Sequence, residues 1–253
     1  MAELPATRLL SPPPTGRTFS TDRIVRLGDV DVGGELRLDS TARYLQDVAT
    51  DDALGAGLGN PMGWLVRRTL VRVESPARLN ERISLTTYCT GIGRSWAERR
   101  TTIRGCDGSA AIIDAVSLWV QVDLESGRPS RLSDDFDGIY AGAAGGRQVS
   151  SRLSLPKPPD GAEREPWNFR LTDLDPFGHV NNAAQWAVME ELLARSHAPR
   201  RGSGEIEFLN PAELTAELVV DESTGWLTAA GKVTTALRWS LGSCQAQTDQ
   251  VDR

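Results

Sequence analysis

The chain has 253 residues, a net charge of −6 and a pI near 5.1, enough for one large domain or two small ones, and too acidic for nucleic-acid binding to be the default. No apolar run approaches the ~18 residues of a membrane span, and the N-terminal MAELPATRLL lacks the charged start, apolar core and small-residue cleavage site of a secretory signal, which points to a cytoplasmic protein. Cys89, Cys106 and Cys244 are scattered without a CxxC, as reduced, buried thiols are, and His179 and His197 are too few for a multi-histidine metal centre.

Residues 1–17, with Ser11-Pro12-Pro13-Pro14, read as a flexible leader. Thr18 to Val25 suits a strand and runs into the turn-rich Gly28-Asp29-Val30-Asp31-Val32-Gly33-Gly34. From Ser40, a fair N-cap, the apolar Ala42, Leu45, Val48, Ala49 and Ala53 share one helix face, and glycines 55, 57 and 59 offer a stop. Strand-like segments follow at Trp64 to Val73, Arg82 to Thr90, Ser95 to Arg104 and Ala110 to Val122, separated by turn signals as in an antiparallel meander. Ser130 to about Pro166 carries AGAAGG and LPKPPDG, too rich in Gly and Pro for a core element and suited to a linker.

The second half repeats the order: a strand at Trp167 to Leu171, a helix from Asn181 to about Ser196, then strands near Gly204 to Leu209, Thr215 to Asp221, Gly225 to Lys232 and Ala236 to Thr248. Arg26-Leu27-Gly28-Asp29-Val30-Asp31 faces Arg170-Leu171-Thr172-Asp173-Leu174-Asp175, and Gly34 meets Gly178 at the same offset. Val71 to Ala77 likewise resembles Ile206 to Ala212, with the same Pro-Ala end. Two matches in one order indicate duplication. The division expected is a leader at 1–17, a first unit at 18–140, a linker at 141–165 and a second unit at 166–253.

Polar groups concentrate where the second helix begins. Asp173, Asp175, the turn Pro176-Phe177-Gly178, His179, Asn181 and Asn182 precede an amphipathic stretch that reaches Glu191. A helix start offers unpaired N–H groups and about half a positive charge, and a carboxylate beside it suits chemistry in which negative charge develops on oxygen.

Asp175-Pro176-Phe177-Gly178-His179-Val180-Asn181-Asn182, with Glu190 inside the helix, resembles the hotdog-fold thioesterases. The wider pattern adds Leu45-Gln46-Asp47-Val48-Ala49, Trp64-Leu65-Val66-Arg67-Arg68 and Ser117-Leu118-Trp119-Val120. It resembles the acyl-ACP thioesterases of plants and bacteria over roughly residues 18 to 250. The resemblance implies an α+β double hotdog, two tandem hotdog repeats in each of which a long helix is wrapped by an antiparallel sheet. It also implies a cofactor-free, metal-free hydrolase that takes fatty acids from acyl carrier protein, with acyl-CoA as the other substrate.

By the same resemblance Asp175 is the catalytic carboxylate, as general base or as nucleophile, and the backbone N–H of Asn182 binds the oxyanion. His179 orients the thioester or the attacking water, and Gly178 lets backbone and substrate approach closely. Asn181 holds either the turn or a substrate carbonyl, and Glu190 serves pocket polarity or structure. Asp173 reads as a turn residue. The first half, with Glu35 where the second has His179, is expected to be catalytically vacant and to line the acyl pocket through Tyr44, Leu45, Met62 and Trp64. Arginines 67, 68, 72, 78, 99, 100 and 104 form a candidate surface for the acidic carrier.

Two departures stand out. The plant enzymes carry an asparagine where this chain has Phe177 and a catalytic glutamate near Pro211. They motivate an alternative, a hotdog protein that binds acyl thioesters without hydrolysis, as a sensor or carrier-protein partner. A hydratase on the same fold resembles the chain less, since no Asn-Pro lies between Asp175 and His179. Two repeats in one chain allow a monomer, and a homodimer is equally consistent.

Overall fold

The computed structural model describes residues 12–58, 63–198 and 200–241. The first half runs β1 (Thr18–Ile24), α1 (Leu38–Gly55), β2 (Trp64–Ser75), β3 (Arg82–Ile92), β4 (Trp96–Gly105) and β5 (Ile112–Gln121). After α2 (Asp134–Ala144) come β6 (Arg164–Asn168), α3 (Trp186–Arg195), β7 (Gly202–Phe208), β8 (Thr215–Asp221), β9 (Thr224–Ala229) and β10 (Lys232–Leu241). The strands form one ten-stranded sheet in the order β1-β3-β4-β5-β2-β7-β10-β9-β8-β6. Read outward from the β2–β7 junction, both sides give the same succession, so the sheet is two five-stranded repeats joined edge to edge. At the seam the strands are antiparallel, with Val71 opposite Gly204.

Each repeat is completed by a helix whose apolar stripe needs a sheet to cover it. Ala42, Leu45 and Val48 of α1 and Trp186, Met189 and Leu193 of α3 belong to one buried cluster with Val71, Ile113, Ile206 and Leu237 of the sheet. A Cβ at Gly204 would stand 2.5 Å from the Met189 sulfur, so a glycine there lets α3 lie close on β7. The α+β architecture of two helix-on-sheet repeats expected from the sequence is therefore present. Among the described residues no helix is long and apolar enough to cross a membrane.

Several local expectations are corrected. The stretch read as linker contains α2, which starts under a Ser133 hydroxyl that accepts the Phe136 N–H at 3.2 Å and stops at Gly145 in the left-handed region. Its Phe136, Tyr140 and Ala144, four residues apart, bury one face against Cys89 and Ala97. Downstream, the Ser154 and Leu155 N–H groups donate to the Glu207 carboxylate at 2.6 and 3.1 Å, which pins the connection to β7.

Arg17, the last residue of the expected leader, is tied to Asp52 of α1 at 2.6 Å, and residues 1–11 lie outside the described residues. Helix α1 starts at Leu38, so Ser40 sits inside its first turn instead of capping it. Helix α3 becomes regular only at Trp186, after tight turns over 182–185. The expected extension of β10 to Thr248 lies outside the described residues, as does Met62.

Candidate active site

The second repeat's loop is built from local hydrogen bonds that its sequence dictates. The Arg170 N–H donates to the Asp173 carboxylate at 2.8 Å and closes a 3₁₀ turn over Leu171–Asp173. The chain then reverses around Asp175, whose N–H donates to the His179 carbonyl at 2.8 Å and whose carbonyl accepts the Gly178 N–H at 2.9 Å. Gly178 has φ +78°, a conformation that glycine adopts without strain. One carboxylate oxygen of Asp175, Oδ1, accepts the N–H groups of Phe177 at 2.9 Å and His179 at 3.3 Å. Its Oδ2 accepts none from the described residues.

The exit of the loop meets the helix start. Val180 donates to the Ala212 carbonyl at 3.0 Å and Asn181 to the Asp173 carbonyl at 2.8 Å, which fixes the loop against the turn that follows β7. The Asn181 side chain accepts the Ala183 N–H at 2.8 Å through Oδ1 and so braces the turn. The N–H of Asn182 has no acceptor among the described residues. A carboxylate with a free oxygen and a free N–H therefore share one loop, with the exposed imidazole of His179 between them in sequence.

The first repeat has the same loop, bond for bond. Asp31 donates to the Glu35 carbonyl at 2.9 Å, accepts the Gly34 N–H at 3.1 Å and, through its carboxylate, the Glu35 N–H at 2.8 Å. Leu36 donates to Ala77 at 2.8 Å as Val180 does to Ala212. What differs is occupancy. The N–H of Leu38, counterpart of Asn182, donates to the Glu190 carboxylate. The other Glu190 oxygen binds Arg200 at 2.7 Å, and Arg200 reaches on to the Asp31 carboxylate.

Burial by itself would raise the Asp31 carboxyl, but the Glu35 N–H and the Arg200 guanidinium outweigh it and hold it below the usual range. Burial likewise works against the charged Arg200, and Glu190 and Asp31 together overcome it. The first loop is filled by the protein's own side chains, whereas the second is open.

Asp175, Gly178, His179, Asn181 and Asn182 are thus together, and Glu190 is not with them. It lies on the helix that follows their loop, but its side chain crosses to the other repeat. Trp64 lines an apolar cavity of about 60 Å³ with Ala49, Leu58, Cys89, Phe136 and Tyr140. Tyr44 does not line it. Its hydroxyl donates to Asp29 at 2.7 Å and its ring carries the Arg23 guanidinium at 4.8 Å, so it supports the first loop. Leu45 lines a smaller void beside Asn182.

The arginine surface is largely committed elsewhere. Arg99 pairs with Asp52 at 2.6 Å, Arg100 and Arg104 with Asp114 at 2.8 and 2.9 Å, and Arg78 with Glu35 at 2.7 Å. Arg72 pairs with Glu74 at 2.9 Å, and Arg67 donates to the Phe208 carbonyl at 2.6 Å. Sequence reasoning missed Arg200, which follows α3 with no periodic signal, and Asp52, which is buried and paired with Arg17, Arg99 and Tyr140, the last two of which line the Trp64 cavity.

Comparison with known proteins agrees with this architecture. The family model for the acyl-ACP thioesterase N-terminal domain matches residues 16–140, and that for the C-terminal domain matches residues 157–244. An uncharacterized protein of Mycobacterium tuberculosis is 30% identical over 188 residues, 74% of each chain. The chloroplastic oleoyl-acyl carrier protein thioesterase 2 of Arabidopsis thaliana is 23% identical over 66% of this chain and 52% of its own. Among solved structures, an acyl-ACP thioesterase from Bacteroides thetaiotaomicron matches with a TM-score of 0.73 at 18% identity, covering 88% of this chain and 98% of that one. The 12:0-ACP thioesterase of Umbellularia californica matches at 0.71 and 20% identity, over 88% and 97%. These likenesses identify the fold as the double hotdog, and with both family models matched along most of its length, the chain belongs to the acyl-ACP thioesterase family.

Proposed function

We propose that the protein hydrolyses the thioester of fatty acyl-ACP, or of acyl-CoA, to a free fatty acid at a single site in the second repeat. The observation that carries this reading is the contrast between the repeats. Asp175 keeps a free carboxylate oxygen and Asn182 a free N–H, while Asp31 and Leu38 are both occupied. As general base, Asp175 takes a proton from water as the water oxygen bonds to the acyl carbon, a role worth roughly 10²–10⁴-fold. The oxygen that becomes negative accepts the Asn182 N–H, and such a donor contributes about 3 kcal/mol. The C–S bond then breaks and the proton passes to the thiolate. As nucleophile, Asp175 would instead form an anhydride that water cleaves. His179, exposed beside Asp175, orients water or the thioester.

The first repeat, residues 18–140, supplies the acyl pocket and the second, residues 166–253, the chemistry. Trp119 lines both the void at Asn182 and the cavity at Trp64, so the acyl chain passes along α1 from one to the other. The carrier delivers the thioester in the cytoplasm, and one chain is sufficient for the site. Thiol release from a panel of acyl-ACP and acyl-CoA substrates tests this. Asp175→Asn lowers turnover at least a hundredfold with an unchanged melting temperature, and undiminished turnover removes Asp175 from the mechanism. Phe177 and Pro211, in place of the plant residues, support the alternative of a non-hydrolysing acyl-thioester binder. Tight acyl-ACP binding without thiol release would establish that alternative.

A further inference from the structure

The repeats stay in register beyond their loops and into the helices. Leu38 answers to Asn182, Thr41 to Gln185, Ala42 to Trp186 and Leu45 to Met189, and all but Asn182 are buried. In that register the counterpart of Glu190 is Gln46, one position past the Leu45–Met189 pair. Glu190 shows what a side chain at this position reaches. It extends from α3 across the contact between the helices and takes the first N–H of the other repeat's helix. Gln46 stands in the same relation to Asn182, and the two line one void together with Thr69, Ser117 and Trp119. The void is about 10 Å³, close to the room one water oxygen needs. Neither the Gln46 carboxamide nor the Asn182 N–H has a hydrogen-bond partner among the described residues. The Trp119 indole nitrogen, on the wall of the same void, is buried and unpartnered as well.

We infer that the Gln46 carboxamide is a second donor to the thioester carbonyl oxygen, acting with the Asn182 N–H, and that the void between them is the seat of that oxygen. This rests on the proposed reading of the second repeat as the thioester site, which it deepens by adding a residue from the first. The chemistry of the two side chains explains why only one site is open. A carboxylate can only accept, so Glu190 consumes the N–H it meets and holds Arg200 over Asp31. A carboxamide is neutral and carries two donor hydrogens, so Gln46 leaves the N–H free and adds to it. Gln46 is a catalytic residue in this sense, and the site is completed across the two repeats.

The test is to place in the second site the group that closes the first. In Gln46→Glu the new carboxylate takes the Asn182 N–H, kcat for acyl-ACP falls at least a hundredfold, and the Asn182 amide proton moves downfield in the NMR spectrum. In Gln46→Ala kcat falls about tenfold or more with KM nearly unchanged, and the amide does not shift. Wild-type turnover in both variants overturns the inference and leaves the thioesterase reading standing. A wild-type protein that releases no thiol sinks that reading instead, and the contact is then read by affinity for an oxoalkyl-CoA, whose carbonyl is separated from sulfur by a methylene and is not hydrolysed. Gln46→Glu then weakens binding tenfold or more, and unchanged affinity overturns the inference.

Discussion

The Glu190 carboxylate, on the helix of the second repeat, accepts the backbone N–H of Leu38 at the start of the first repeat's helix. A helix start that would otherwise offer a free donor is closed by the opposite repeat, and Arg200 completes the closure by joining Glu190 to Asp31. Duplication gives two loops of one design, and these three side chains occupy one of them.

The occupied loop makes a mutational contrast. Asp31→Asn should leave thiol release unchanged, although Asp31 is the loop counterpart of Asp175. Removing Arg200 acts on stability instead, because Glu190 is almost completely buried and loses its ion-pair partner while it still holds the Leu38 N–H. Breaking such a pair by deleting one partner costs about 3–5 kcal/mol. Urea unfolding of Arg200→Ala measures it, and a loss under about 1 kcal/mol would mean the pair is well solvated.

Acid should weaken the same closure. The Asp31 carboxyl is held below its ordinary value of 3.8, because the Glu35 N–H and Arg200 outweigh the burial that opposes them. A folded-state value below the unfolded one gives stability that is fully present above the unfolded value and is lost as pH falls through the folded value. Asp39 behaves alike, its burial outweighed by Arg37 and Arg43. Unfolding free energy should therefore drop as the pH falls from about 5 through the folded-state values that lie below 3.8, and Asp31→Asn should flatten that drop. An identical slope in the variant would show that Asp31 does not contribute.

What could be read from the sequence was what is local. The Arg-Leu-x-Asp-x-Asp match announced two loops, and both have the same hydrogen bonds. The alternation of the strands gave each repeat its sheet. Helix α2 was hidden because its Gly and Ala content resembles a linker, although Ser133, the acidic first turn and the spacing of Phe136 and Tyr140 were its signals. Glu190 was read as serving pocket polarity or structure, but its partner could not be named. A helix presents each side chain to whatever packs on that face, and here that is the other repeat. Arg200 was missed because contacts between repeats leave no mark in local spacing.

Thiol chemistry reports the packing of α2. Burial pushes the Cys89 thiol up to about 11, so at neutral pH it is neutral and covered by Phe136 and Ala97. Alkylation by iodoacetamide near pH 8 should spare Cys89 in the folded protein and modify it only on unfolding, while the less buried Cys106 reacts before it. Rapid native modification of Cys89 would indicate that α2 opens.

On the proposed reading, helix α2 sets how far an acyl chain runs. Phe136 lines the Trp64 cavity, its ring centroid 5.2 Å from Trp64 and 4.8 Å from Tyr140, and Tyr140 and Arg99 line it as well. The Tyr140 hydroxyl donates to Asp52 at 2.8 Å, and Asp52 is clamped by Arg17 and Arg99. A terminal methyl group cannot replace those hydrogen bonds, and leaving buried charges unpaired costs several kcal/mol, so the ion cluster is a harder stop than the ring. Phe136→Ala removes the ring and keeps the cluster. It should destabilise the fold by about 3–5 kcal/mol and shift thiol release towards substrates longer by the depth of the ring, with the longest chains still excluded. Rates measured across a series of acyl-ACP lengths decide the point, because an unmoved optimum in a folded Phe136→Ala protein would place the acyl chain outside this cavity.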